Sequence, residues 1–163
     1  MGVIQTDARG STASAATTGA LTASGAVIGA SFASAGSILS SGPAAGVGYA
    51  TGAGGAVTQI TTRATGVTMV PASCLSGTIT TVNSSLAAEA AADMIVTNGA
   101  CAIGDVVVCS IQSGSNGGNT AVSVSTVAAG SFTLRVSNNN AAAGTAETGV
   151  ILINFAIIKA VSA

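Results

Sequence analysis

Few side chains in this sequence could carry catalysis. Its 163 residues include four basic and five acidic side chains, three cysteines and no histidine. Without histidine, neither a Ser-His-Asp triad nor an imidazole metal site can be built. Catalysis would therefore have to rest on a carboxylate, on Lys159, on a thiol or on a hydroxyl group.

Among the acidic residues, Glu89 and Asp93 have the spacing closest to that of a catalytic pair. They lie four positions apart, which would place both carboxylates on one side of a helix. Nothing near them marks a general acid and base, and a solvated turn accounts for both charges. Asp7 and Asp105 are interpreted as a cap, a turn acceptor or an intersubunit ion-pair partner. We therefore predict no catalytic residue, and the chain is not expected to be an enzyme.

Metal and cofactor sites are not predicted either. Cys74, Cys101 and Cys109 form no CxxC pair and are interpreted as small buried hydrophobic residues. Their odd number argues against a secreted disulfide framework and agrees with a reducing cytoplasm. The glycine-rich residues 52–55 lack the Lys-Ser/Thr of a phosphate-binding loop, and no helix is predicted after them.

The charge content excludes two further classes of function. Only 6% of the residues are charged, against about a quarter in an ordinary soluble protein. With a net charge of −1 the chain cannot neutralise a row of phosphates, so nucleic-acid binding is not expected. Residues 19–39 would be long enough to span a bilayer, but Gly, Ser, Ala and Thr dominate them and insertion would be poor. No membrane role is expected.

A surface so poor in charge indicates a protein whose faces are covered by partners. Free monomers usually stay soluble through charged side chains and avoid large exposed apolar patches. This chain instead combines few charges with a positive mean hydropathy. We therefore predict a permanent assembly that includes other copies of the chain, as a dimer or a trimer.

The chain divides into an arm and a folded domain. Residues 1–46 are low in complexity and show neither a helical stripe nor strand alternation. They are predicted to be an extended arm that gains its order by lying on a neighbouring subunit. The predicted interface residues are the large apolar side chains of residues 19–39 within this arm and the one tyrosine: Leu21, Val27, Ile28, Phe32, Ile38, Leu39 and Tyr49.

Residues 47–163 are predicted to form an all-β domain, either a sandwich or a jelly-roll-like fold. Short runs rich in Val, Ile and Thr alternate with turn residues, as in sandwiches and barrels. Phe132, Leu134 and Val136 alternate with polar residues, and residues 128–130 predict a tight hairpin before them. The predicted strands are residues 56–62, 67–70, 75–81, 94–98, 105–111, 122–125, 132–137 and 149–158.

Three further expectations concern particular segments of this domain. Residues 105–111 and 149–158 are apolar on both faces, as in central strands that are covered on two sides. Residues 113–119 predict a flexible hairpin loop. Residues 86–93 have the composition of a helix but are short enough to be a loop. Phe132 and Phe155 are predicted to lie in the core.

Several segments resemble recurrent elements in small structural proteins of tailed bacteriophages. The longest is GYATGAGGAVTQITTRATGVT, residues 48–68. The later ones are GTIT at residues 77–80, DVVV at 105–108, VAAGSF at 127–132 and INFAIIK at 153–159. The resemblance covers about residues 48–160, and the arm falls outside it.

This resemblance implies a virion structural protein. By analogy, the chain is expected to be a capsid cement or decoration protein that bridges subunits of the major capsid protein. Its expected location is the capsid surface, after assembly in the host cytoplasm. The alternative is a tail-fibre or spike component that contacts the host surface.

Overall fold

A computed structural model of the chain describes residues 54–115 and 119–160. The predicted arm, residues 1–46, and its boundary with the folded domain lie outside these residues. The same is true of all the predicted interface residues, namely Leu21, Val27, Ile28, Phe32, Ile38, Leu39 and Tyr49. Those predictions stay predictions.

Eight strands form a sandwich of two four-stranded sheets, and the described residues contain no helix. In spatial order, the first sheet contains β1 (Gly54–Thr58), β3 (Ser76–Thr80), β8 (Leu152–Ile158) and β5 (Val106–Ser113). The second sheet contains β2 (Val67–Thr68), β4 (Ala91–Thr97), β7 (Ser131–Asn138) and β6 (Thr120–Ala128). The prediction of an all-β sandwich is confirmed. Within this part of the chain, no helix is long and apolar enough to cross a membrane.

Both sheets are mixed. β1 pairs with β3, and β2 with β4, in parallel, whereas the other neighbouring strands are antiparallel. A jelly roll is built from antiparallel strands. Of the two predicted folds, the sandwich is therefore the one that fits these pairings. The sequence pattern gave no indication of the two parallel pairs.

Side-chain alternation explains the strands of the second sheet. On β7, Phe132, Leu134 and Val136 are buried, while Arg135 between them is exposed. β6 and β7 form the predicted hairpin, and its loop residue Gly130 has a φ of 77°. This left-handed conformation favours glycine, because a side chain there would be strained.

The core lies between the two sheets and combines buried side chains from six strands and the adjoining loops, with partly buried residues of β1 and β6 packed against it. Its central contact joins the two predicted core phenylalanines, Phe132 and Phe155, which are both buried. The other buried apolar residues are Val67, Met69, Cys74, Ile79, Leu86, Met94, Val96, Cys101, Val107, Leu134, Val136, Ile151, Ile153 and Ile157.

Three segment predictions need correction or refinement. Residues 113–119 do not close a hairpin, because β5 pairs with β8 in the first sheet and β6 pairs with β7 in the second. β8 is central as predicted, but β5 is an edge strand whose Val106 and Val108 are exposed. Residues 86–93 form a turn followed by the start of β4, because pairing with β7 overrides helix propensity.

Candidate interaction surface

The outward side of the first sheet is a broad surface without charge. Alternation along each strand and the register between strands identify the side chains that point away from the second sheet. We call this surface the uncharged face. Its residues are Gly54, Ala56, Thr58, Ser76, Thr78, Thr80, Val106, Val108, Ser110, Leu152, Asn154, Ala156 and Ile158.

The uncharged face has a hydroxyl-rich side and an apolar side. Serine and threonine dominate on β1 and β3, and Thr78 Oγ1 donates to Asn154 Oδ1 at 3.0 Å. On the other side, Val106 lies opposite Ile158 and Val108 opposite Ala156. Val106, Val108 and Ile158 are 52%, 48% and 54% exposed, so about half of each side chain meets solvent. These three residues form the apolar corner of the face.

A shallow groove of about 320 Å³ lies beside this corner, between β5 and β8. The polar side chains of its lining are Ser110 and Asn154, both uncharged. Burial raises the pKa of the Cys109 thiol above its ordinary value, which favours the unreactive protonated form. The groove therefore offers apolar contact and a few hydrogen bonds. Its lining is Val108, Cys109, Ser110, Asn154, Phe155 and Ala156.

The outward side of the second sheet differs because it carries an ion pair. Arg135 Nε donates to Asp93 Oδ1 at 2.8 Å, and Arg135 Nη2 to Asp93 Oδ2 at 2.7 Å. The hydrogen bonds from Arg135 lower the pKa of Asp93, and Asp93 raises the pKa of Arg135. Glu89 lies in an exposed turn, as predicted, whereas Asp93 lies within β4 and not in a turn. The two carboxylates are thus not a paired acid and base.

A buried arginine ties together the loops at one end of the sandwich. Arg63 is only 4% exposed. Its guanidinium donates to the carbonyl oxygens of Ser84 and Gly149, both at 2.6 Å, and to Thr81 Oγ1 at 3.2 Å. Burial lowers the pKa of Arg63, and the nearby charge of Glu147 opposes this shift. One side chain thereby joins its own segment to two others, residues 81–84 and the loop at Gly149.

Glu147 lies at the same end and is fully buried. Its carboxylate accepts hydrogen bonds from Ser115 Oγ at 3.0 Å, from Thr120 Oγ1 at 2.5 Å and from the amide of Gly149 at 3.0 Å. Sequence reasoning missed the burial of Arg63 and Glu147. Most of their partners are hydroxyl and main-chain groups far away in sequence, so no local pattern could have signalled it.

The opposite end of the sandwich holds a second ion pair. Lys159 Nζ donates to Asp105 Oδ2, and the amide of Ala102 donates to the same oxygen at 2.8 Å. Both bonds lower the pKa of Asp105, and the bond from Lys159 has the larger effect. The predicted role of Asp105 as a turn acceptor is confirmed. Its ion-pair partner belongs to the same chain.

Cys74 and Cys101 are buried and free, as predicted, and Cys109 is half-buried. Burial is the main cause that raises the pKa of all three thiols. No cluster of three or more His, Cys, Asp or Glu side chains occurs among residues 54–115 and 119–160. The uncharged face is one of the surfaces that this part of the chain offers for contact.

Comparison of the chain with protein-family models, with curated proteins and with solved structures finds no match.

Proposed function

We propose that the protein is a structural component of a bacteriophage particle, a capsid cement or decoration protein that stabilises the head. It would bridge subunits of the major capsid protein on the capsid surface, after assembly in the host cytoplasm. The observation that carries the proposal is the uncharged face, a whole outward side of a sheet without one charged residue. The resemblance of residues 48–160 to phage structural proteins supports it.

The physical argument is one of burial. Covering apolar surface contributes about 25 cal/mol per Å², and uncharged hydroxyl groups are removed from water at far lower cost than ionic groups. The exposed halves of Val106, Val108 and Ile158 would contribute on binding. A single contact of this kind is weak, but a cement protein repeats it at every copy around the shell.

The polar clusters at both ends of the sandwich serve this role by making the face rigid. Arg63 and Glu147 fix the loops at one end, and Asp105 with Lys159 fixes the other. A surface held in one conformation loses little entropy on binding. The buried charges would thus act indirectly, by presenting a preorganised sheet to the capsid.

The second candidate is a tail-fibre or spike component that contacts the host surface. The outward side of the second sheet favours it, because that side exposes hydroxyl groups around the Asp93–Arg135 ion pair. Such a polar surface suits reversible contact with a hydrated, polar partner. Residues of this side include Ser123, Ser125 and Thr126.

Cryo-electron microscopy of the intact particle tests the proposal. We expect the sandwich on the capsid surface, in a copy number that is a fixed multiple of the capsid subunits. Density confined to the tail at low copy number would favour the second candidate. Absence of the chain from purified particles would contradict both.

A matched pair of substitutions tests whether the uncharged face makes the contact. Ala56→Lys places a charge on this face and Ala121→Lys on the outward side of the second sheet, and both sites are exposed on edge strands. Ala56→Lys should lower capsid occupancy by at least about tenfold in competition with the unmodified chain, because the ammonium group would be buried. Ala121→Lys should leave occupancy unchanged. The reverse pattern would assign the contact to the second sheet.

A further inference from the structure

β5 presents a regular and apolar edge that pairs with no other strand of the described residues. It has eight residues and is the outer strand of the first sheet. A register shift interrupts its pairing with β8 only after Ile111, so residues 106–111 form an unbroken segment. Natural proteins protect such edges with charges, prolines or bulges, and this segment has none of them.

The other three edges are better protected. β2 has two residues, and Pro71 follows soon after it. The edge of β1 is partly covered, because the amide of Ala56 donates to the carbonyl of Val70 at 2.8 Å. β6 is long, but a register shift between Val124 and Thr126 divides it in the middle. β5 is therefore the edge best prepared to accept another strand.

We propose that two copies of the protein pair through β5, antiparallel across a twofold axis, and form one continuous eight-stranded sheet. Residues directly opposite each other in antiparallel strands point to the same face, so only some registers are allowed. In one allowed register Val108 lies opposite its counterpart, Val106 opposite Ser110 and Val107 opposite Cys109. The two apolar corners of the uncharged face then become neighbours.

The absence of charge on this edge is compatible with a second copy as its occupant. A twofold axis brings a surface against itself, so any net charge on it would repel. Residues 106–111 and the outward side chains of β8 are uncharged. The nearest acid, Asp105, is neutralised within its own chain by Lys159. No electrostatic repulsion would therefore oppose the pairing of this edge with the same edge of a second copy.

The size of the contact predicts a weak dimer. Pairing of a five- or six-residue segment with three half-exposed apolar side chains falls below the roughly 1,200 Å² of standard interfaces. Such a contact gains strength where copies are already held close together, as on a regular shell. The pairing is nevertheless a property of the purified chain and does not depend on where the protein is located.

Sedimentation equilibrium of the full chain, up to millimolar concentration, tests the proposal with two matched variants. Val108→Lys places two ammonium groups opposite each other in the paired strands. Ile95→Lys is the control, because Ile95 is 56% exposed and points outward from a central strand of the second sheet. We expect Val108→Lys to raise the dimer dissociation constant at least about tenfold more than Ile95→Lys. Circular dichroism verifies that both variants fold.

A smaller difference between the two variants overturns the proposal, and so does a chain that stays monomeric at millimolar concentration. Hydrogen exchange gives an independent readout. Amides of residues 106–110 should become more protected as the chain concentration rises, and those of β6 should not. Protection at β5 that does not change with concentration, in a chain that still dimerises, would place the contact elsewhere.

Discussion

Phe132 on β7 and Phe155 on β8 contact each other between the two sheets, with ring centroids 5.1 Å apart and ring planes at 51°. The chain has only four aromatic residues, so half of them meet in this pair. Tilted rings at this separation attract each other beyond the effect of burial alone. The contact joins the second sheet to β8, one of the two central strands of the first sheet.

Truncation of this pair should be among the most damaging changes in the sandwich. Phe132→Ala is expected to lower the free energy of unfolding by about 3–5 kcal/mol, because it leaves a cavity between the sheets. Phe132→Leu should cost less. Urea unfolding measures both variants against Ile95→Ala, an exposed control. A loss for Phe132→Ala no larger than that of the control would contradict the assigned core.

Arg63 should not tolerate replacement by lysine. Its guanidinium reaches the carbonyls of Ser84 and Gly149 and the hydroxyl of Thr81, and one ammonium group cannot reproduce this fork. The carbonyls of Ser84 and Gly149 are partly buried, so the loss of their donors in Arg63→Lys should cost about 1–3 kcal/mol of stability. Arg135→Lys, at an exposed ion pair, should lose little. Equal losses at the two positions in thermal unfolding would refute the role of Arg63.

The positions of the strands followed from the sequence, but their partners did not. Alternation identifies Phe132, Leu134 and Val136 as one buried side, and each predicted strand overlaps an observed one. Alternation does not say which sheet a strand joins, which is why β5 and β6 were wrongly joined as a hairpin. The parallel pairs depend on long-range contacts that leave no local pattern.

The sequence predicts that the protein has a surface covered by partners, but it does not predict which residues form that surface. Low charge indicated that some face is covered, and this inference needs only composition. The uncharged face is assembled from four strands that are scattered along the chain, so its location requires the sheet order. The interface residues predicted from sequence, such as Phe32 and Tyr49, lie outside the described residues, and their part in a contact stays a prediction.

Stability should fall in acid through two aspartates. Hydrogen bonds from Arg135 and Lys159 lower the pKa values of Asp93 and Asp105 below the ordinary value of about 3.9. A depressed pKa in the folded state stabilises the protein above the unfolded value, and this stabilisation is lost as pH falls through the folded value. The free energy of unfolding should therefore change little near neutral pH and decrease below about pH 4.

Two variants separate the contributions of these aspartates. Asp105→Asn should reduce the loss of stability in acid more than Asp93→Asn, because the Asp105 side chain is 2% exposed and that of Asp93 45%. Denaturant unfolding across an acid pH series measures both. An unchanged pH dependence in Asp105→Asn would show that its pairing with Lys159 does not matter for folding.

Gly77 should be required for the pairing of β1 with β3. A Cβ atom at Gly77 would collide with the carbonyl oxygen of Gly55 and lie 2.9 Å from the Phe155 ring. Relief of this overlap requires β1 to move, so Gly77→Ala should cost about 1–3 kcal/mol. Gly54→Ala is the matched control, since its Cβ would come no closer than 3.6 Å to Ser76. It should be neutral or slightly stabilising, because alanine restricts the unfolded chain. The amides of β1 should exchange their hydrogens faster in Gly77→Ala than in the unmodified chain, and Gly54→Ala should not show this increase. If both variants exchange alike, the close approach of Gly55 and Gly77 does not limit the sheet.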